Sequence, residues 1–170
     1  MVSARTSRAT PHALTVTLVT RMLREAFEGP PGPWTYFIDT APGTGAFGTI
    51  GELTAVQASE KGGPNNTTIA AHVHHLSAAL ALSRQALQSR RTTRTSRDRS
   101  MSWSLSTVDD AGWIALRVQL RREYDDLVVA VMSHTNWDED AMGIAFGAIA
   151  HAAYHLGAIR QRLTPRGKNR

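Results

Sequence analysis

The sequence predicts an all-α protein, a four-helix bundle, and three observations support this fold class. Four long segments repeat apolar residues at spacings of three and four. No segment shows the convincing alternation of apolar and polar residues that is typical of a half-buried strand. Aromatic residues make up only 6% of the chain while alanine is abundant, which suits closely packed helices. With 170 residues, 42% of them hydrophobic and 19% charged, the chain can bury a core as a single domain.

The first predicted helix covers about 12–28. Thr10 is suited to cap its N-terminus and Pro11 to occupy its first turn. The sequence GPPGP directly after residue 28 ends this helix. Residues 29–48 then form a long connection, whose aromatic residues lead us to expect that it packs across one end of the bundle. A short extra helix is predicted within 49–59.

Three more long helices follow. One is predicted over about 68–90, capped by Thr67 or Thr68. Residues 92–107 are polar and rich in arginine and serine, and are interpreted as a loop. The next helix begins near Asp109, because a carboxylate is favourable at a helix N-terminus, and continues to about residue 133. The last covers about 139–163, where Pro165 stops it.

The ends of the chain carry its excess of positive charge. The net charge is +5, but residues 1–11 and 160–170 contain seven basic residues and no acid, so the rest has 12 basic and 14 acidic residues, a net charge of −2. We therefore expect a flexible N-terminus at 1–11, a bundle at 12–163 and a basic C-terminal tail at 164–170. An arginine-rich run within 84–99 leaves nucleic-acid binding as a weaker alternative to a solvated loop.

Several classes of protein are excluded or disfavoured by what the sequence lacks. There is no cysteine, which excludes disulfides, thiolate metal sites and cysteine nucleophiles. No apolar run suits a secretory signal, and none reaches the 18 residues of a membrane span. We expect a soluble protein in the cytoplasm.

Two clusters of histidines stand out among the seven in the chain. His151 and His155 are four residues apart, so on a helix they lie one turn apart and differ by about 40° in direction. Two imidazoles so placed can bind one metal ion, and the same face carries apolar residues. A pair of core histidines bonded to each other or to water is the alternative interpretation.

The second cluster is HVHH at 72–75. His75 lies in the middle of a stripe of alanine and leucine residues, so burial there requires a polar partner, either a metal or a hydrogen bond. His72 lies about 60° to one side and is the fallback ligand, whereas His74 points about 100° away and is expected to be exposed. His75 facing the HxxxH pair would give a three-histidine site with an open coordination position. Such all-nitrogen ligation suits zinc, nickel, iron or copper.

These residues resemble the DinB-like (DinB/YfiT) superfamily. TIAAHVHHL at 68–76 is similar to its second-helix motif, with His75 in the ligand position, and IAHAAYHLGAIRQ at 149–161 is similar to its fourth-helix HxxxHxGQI pattern. The Ser102-Trp103-Ser104 stretch and the helix containing Trp113 are also similar to the family. One departure is Ala158, where the family commonly has glutamine. If that glutamine supports the site in relatives, support here must come from elsewhere.

The resemblance implies one divalent metal ion, nickel or zinc, bound by His75, His151 and His155, and a homodimer. It also implies an enzyme that is a thiol S-transferase or a hydrolase, acting on a low-molecular-weight thiol or another small molecule. A non-catalytic bundle that binds a metal or small ligand is the alternative. No catalytic acid or base is identified from the sequence, although Glu52, Asp39 and Tyr154 are candidates. Aromatic residues in the connections are predicted to wall a pocket or to pack in the core: Trp34, Tyr36 and Trp137.

Overall fold

The computed structural model describes residues 10–62, 66–89 and 101–163, and these residues form helices without any strand. The helices are α1 (Pro11–Glu28), α2 (Ala46–Gly51), α3 (Ala55–Ser59), α4 (Ile69–Ser89), α5 (Asp110–Ser133) and α6 (Glu139–Leu163). The all-α prediction is therefore confirmed for this part of the chain.

The four long helices pack against one another. Helix α4 contacts α5 and α6, and α1 contacts the same two helices from its own side. Each contributes fully buried apolar side chains to one core, among them Leu23, Leu76, Leu120 and Ile159. This arrangement is compatible with the predicted four-helix bundle.

The helix N-termini lie where the sequence indicates. The Thr10 hydroxyl accepts a hydrogen bond from the amide of Ala13, and Pro11 is the first residue of α1. Thr68, not Thr67, caps α4, because its hydroxyl accepts from the amide of Ala71. Asp109 caps α5 in the same way. Side-chain capping thus fixes the starts of α1, α4 and α5.

The predicted single short helix at 49–59 is instead two helices, and the connection before it is shorter than 29–48 because α2 begins at Ala46. The break lies at Thr54, whose side chain forms a capping box with Gln57 and so starts α3. Gly45 allows the connection to return to the end of α1, since a Cβ there would lie 2.4 Å from the backbone nitrogen of Gly29.

A buried carboxylate holds the backbone of the connection that follows α1. Glu25 of α1 has no exposed surface, and its two oxygens accept hydrogen bonds from the amides of Tyr36, Phe37 and Ile38 at 2.6–3.2 Å. Trp34 is 54% exposed. The backbone of this segment is thus held by a buried charge, while Phe47, near its end, packs on the rings of Phe27 and Tyr124 in the core.

Two of the basic residues counted at the C-terminal end of the chain, Arg160 and Arg162, lie on α6. Arg160 pairs with Asp39 of the connection. Arg162 donates to the carbonyl oxygens of Gly62 and Glu60, at 2.7 and 3.0 Å, which ties the end of α6 to the segment before α4. The remaining tail, 164–170, lies outside the described residues, as do the N-terminal residues 1–9.

The arginine-rich run also lies mostly outside the described residues, which include only its first arginine. Arg84 is 3.5 Å from Glu123 and 3.9 Å from Asp126, both on α5. This arginine is thus paired with acidic residues of the same chain.

Helix α6 is the one described helix whose length and mean hydropathy alone would allow it to cross a membrane. It contacts α1, α2 and α4 and carries buried residues along its length, as a core helix of a soluble protein does. A soluble protein is compatible with this packing.

Candidate metal centre

The structure brings together the three histidines that the sequence selects. One ring nitrogen from each of His75, His151 and His155 lies within 4.8 Å of the other two. The Nε2 atoms of His75 and His151 are 3.2 Å apart, and those of His151 and His155 are 2.9 Å apart. The three imidazoles therefore point their Nε2 atoms at one shared point.

Two helices position these side chains. His75 lies one turn and a half into α4, and His151 and His155 lie one turn apart on α6, which packs against α4. His155 is 1% exposed and His75 is 5% exposed, whereas His151 is half-buried. The cluster is therefore closed toward the core and open on the side of His151.

The spacing of the nitrogens fits a metal ion. Two nitrogens that each lie 2.0–2.1 Å from one tetrahedral ion are about 3.3 Å apart, close to the separations observed here. All three ligands are nitrogens, a donor set that suits zinc, nickel, copper or iron. The residues present thus fit one divalent transition-metal ion.

His72 lies behind this cluster and does not complete it. Its Nδ1 is 2.9 Å from Nδ1 of His155, on the side of that ring opposite the shared point. Its Nε2 is 3.3 Å from the hydroxyl of Thr67, which also accepts from Arg162. His72 is therefore a hydrogen-bond partner of a ligand, as expected for the residues that surround a metal site.

The pKa values in the cluster favour neutral rings. Burial, with a smaller contribution from the neighbouring Arg162, lowers the pKa of His72 to about 4. Burial, followed by the nearby imidazoles of His151, His72 and His75, lowers the pKa of His155 to about 3. Both rings are consequently unprotonated at neutral pH, the state in which imidazole binds metals.

The segment after residue 101 also contacts the histidine cluster, through the ring of His75. The hydroxyl of Ser102 is 2.8 Å from Nδ1 of His75, and the indole of Trp103 stacks on the His75 ring with centroids 4.2 Å apart. The sequence singled out this segment only through the family resemblance. The contact between Ser102 and His75 joins residues that are 27 positions apart in the sequence, so helical spacing could not have indicated it.

His74 is not exposed as predicted. It is half-buried, and its Nδ1 is 2.9 Å from the backbone oxygen of Ser102. The prediction considered only the face of an isolated helix, whereas the segment after residue 101 covers that face.

An apolar cavity of about 320 Å³ adjoins the cluster between α4 and α6. His151 lines one end of it, and the walls are formed by Ala79 and Leu82 of α4 and by Ile144 and Ala148 of α6, with neighbouring residues. Because His151 is also the least buried of the three ligands, the cavity lies on the open side of the candidate metal centre.

The residues predicted to wall a pocket lie elsewhere. Trp34 and Tyr36 pack on each other with centroids 4.5 Å apart, and Arg21 lies over both rings. Trp137 packs against His134, with centroids 5.1 Å apart. None of the three lines the cavity described above.

Of the predicted acid–base candidates, Tyr154 contacts the cluster. Its ring lies edge-on to His155, with centroids 5.1 Å apart, and it is 68% exposed. Asp39 pairs with Arg160, which lowers the pKa of that carboxyl. Glu52 is an exposed residue at the C-terminal end of α2. Tyr154 is thus the candidate that the fold places beside a ligand.

In comparisons with family models, with curated proteins and with solved structures, the chain matches none. The functional argument therefore depends on the geometry of the site and on the sequence motifs.

Proposed function

We propose that this chain is a metal-binding four-helix bundle of the DinB-like superfamily, with one divalent transition-metal ion, nickel or zinc, bound by the Nε2 atoms of His75, His151 and His155. The observation that carries this proposal is the convergence of three ring nitrogens within 4.8 Å. The histidines that converge are those at the motif positions, which supports the resemblance. We further propose a cytoplasmic homodimer.

The surroundings of the ligands support the same assignment. A histidine that binds a metal through Nε2 carries its proton on Nδ1 and donates it to a neighbour. The Nδ1 of His75 has the Ser102 hydroxyl as its acceptor, and the Nδ1 of His155 has the Nδ1 of His72. His72 then carries its own proton on Nε2, facing Thr67. These partners replace the glutamine that the family commonly has at position 158.

Three protein ligands leave a coordination position open, which is typical of catalytic sites and not of closed structural sites. A divalent metal held there would lower the pKa of a bound thiol or water and polarise a substrate. We therefore propose thiol S-transfer or hydrolysis as the reaction, with a low-molecular-weight thiol or another small molecule as substrate. Tyr154 is the proposed accessory residue, because its ring contacts His155.

Turnover assays with the metal-loaded protein test the reaction. We expect conversion of an electrophile in the presence of a small thiol, or hydrolysis within a panel of esters and amides, and loss of at least 100-fold in rate in His151→Ala. His134→Ala, which removes a histidine outside the cluster, is the matched control and should retain the activity.

The alternative is a non-catalytic protein that binds a metal or a small ligand. It is favoured by the position of the carboxylates named above, since Asp39 is engaged by Arg160 and Glu52 lies at the end of α2. Metal-loaded protein that shows no turnover across both panels, while still binding thiols, would establish this alternative and contradict the enzymatic proposal.

A further inference from the structure

The cavity between α4 and α6 is lined mostly by small and apolar residues. Its walls are alanine, leucine, isoleucine and glycine, and no lysine, arginine, aspartate or glutamate lines it. Ser83 is a polar residue of the lining, but its hydroxyl already donates to the backbone oxygen of Ala79 at 3.0 Å. The imidazole of His151 is therefore the one polar group of the lining that is positioned beside the three-histidine cluster.

The cavity is half-open and extends along both helices. The lining residues of α4 run from Ala79 to Ala86, seven residue steps or about 10 Å along the helix axis. A volume of about 320 Å³ is near the lower end of the range of roughly 300–1,000 Å³ for small-molecule sites. These dimensions suit a slender chain and not a bulky polar cofactor.

Two glycines of α6 keep this space open. Gly143 and Gly147 line the cavity two turns and one turn before His151; both are exposed, and a Cβ at either would meet no atom within 4 Å. Close packing inside the described protein does not require glycine at these positions. Glycine at both positions leaves this face of α6 free for an occupant that runs along the helix toward His151.

We propose that the cavity binds an uncharged apolar chain whose terminal metal-binding group, such as a thiol, reaches the ion held by the three histidines. This inference rests on the proposed function, and it names the class of ligand that the site selects. Apolar chains gain affinity by contact with the cavity walls, while a charged terminus finds no charged partner among the lining residues.

Calorimetric titration with defined thiols tests the inference. Butanethiol, hexanethiol and mercaptohexanoate are titrated into metal-loaded and chelator-treated wild-type protein. We expect hexanethiol to bind the loaded protein about 15-fold more tightly than butanethiol, because each buried methylene contributes about fourfold. Mercaptohexanoate, which carries a carboxylate at the far end, should lose most of that gain.

A variant that places a larger side chain in the cavity tests whether the ligand binds there. Gly147→Leu should weaken hexanethiol binding at least tenfold without changing the metal content, because it fills the cavity and leaves the ligands untouched. Gly157→Leu is the matched control on the same helix: this glycine also faces open space but does not line the cavity. It should bind hexanethiol as the wild type does.

The outcomes separate the two proposals. Metal loading without any dependence of affinity on chain length, or with equal binding by Gly147→Leu, overturns the inference and leaves the metal centre standing. Protein that takes up no metal on loading, yet binds the thiols with the same dependence on chain length, overturns the proposed function and retains the apolar site. A wild-type dimer that Gly147→Leu converts to a monomer, as measured by light scattering, shows that a second copy fills the cavity and overturns the inference.

Discussion

At the scale of single residues, His72 lies next to the candidate metal centre without being one of its three histidines. Its ring is buried and its Nδ1 is 2.9 Å from the Nδ1 of His155, so it is placed to orient that candidate ligand. The sequence placed His72 at the edge of the ligand stripe as a fallback. The structure instead gives it a supporting position, because it meets the far side of the His155 ring.

Replacing His72 should therefore weaken metal binding without abolishing it. We expect His72→Phe to lower the affinity roughly 10–100-fold, the usual effect of removing such a partner, whereas His155→Phe should lower it much further. Competition with a chromogenic chelator measures both affinities. An unchanged affinity in His72→Phe would show that His155 is oriented by packing alone.

The three ligand positions could be predicted from the sequence because each lies on a regular helix, where spacing determines direction. Ser102, Trp103 and the burial of His74 could not be predicted in this way. They depend on where an irregular segment folds back onto α4, and that contact is non-local.

At the scale of secondary-structure elements, local signals located the long helices well. Capping by Thr10, Thr68 and Asp109 and termination by glycine and proline act within a few residues, so they can be found in the sequence. The split between α2 and α3 was missed, although Thr54 and Gln57 form a recognisable capping box. The anchoring of the long connection by Glu25 was missed because its partners are 11–13 residues away.

The stability of the connection after α1 should depend on the Glu25 carboxylate. Glu25→Gln retains the size of the side chain but directs an NH₂ group at a backbone amide, so we expect a loss of about 2–3 kcal/mol in the free energy of unfolding. Urea denaturation measures it, with the exposed Glu52→Gln as a control that should change stability by less than about 0.5 kcal/mol. Equal stability of the two variants would show that the loop amides are satisfied by water.

At the scale of the whole molecule, the histidine cluster links stability to pH. The pKa of His72 is lowered to about 4 and that of His155 to about 3, from an ordinary 6.5. Between those values the unfolded chain binds more protons than the folded one, so stability rises with pH. We expect the metal-free protein to be fully stabilised by these rings above about pH 6.5 and to lose that stability progressively as the pH falls toward 3.

Urea denaturation in the presence of a chelator, across this pH range, measures the effect. A His72→Phe, His155→Phe double variant should show a shallower dependence on pH, since two titrating groups are absent. A wild-type protein whose stability is independent of pH between about 7 and 4 would show that the cluster is solvated and not buried.

The central claim is that three histidines hold one metal ion, and metal analysis tests it most directly. Protein purified without a histidine tag or added metal is dialysed against one equivalent each of nickel and zinc, and the bound metal is measured by mass spectrometry. We predict close to one ion per chain in the wild type and in a His12→Ala, His134→Ala control, and almost none in the His75→Ala, His151→Ala, His155→Ala variant. Equal metal content in the wild type and the triple variant would contradict the account.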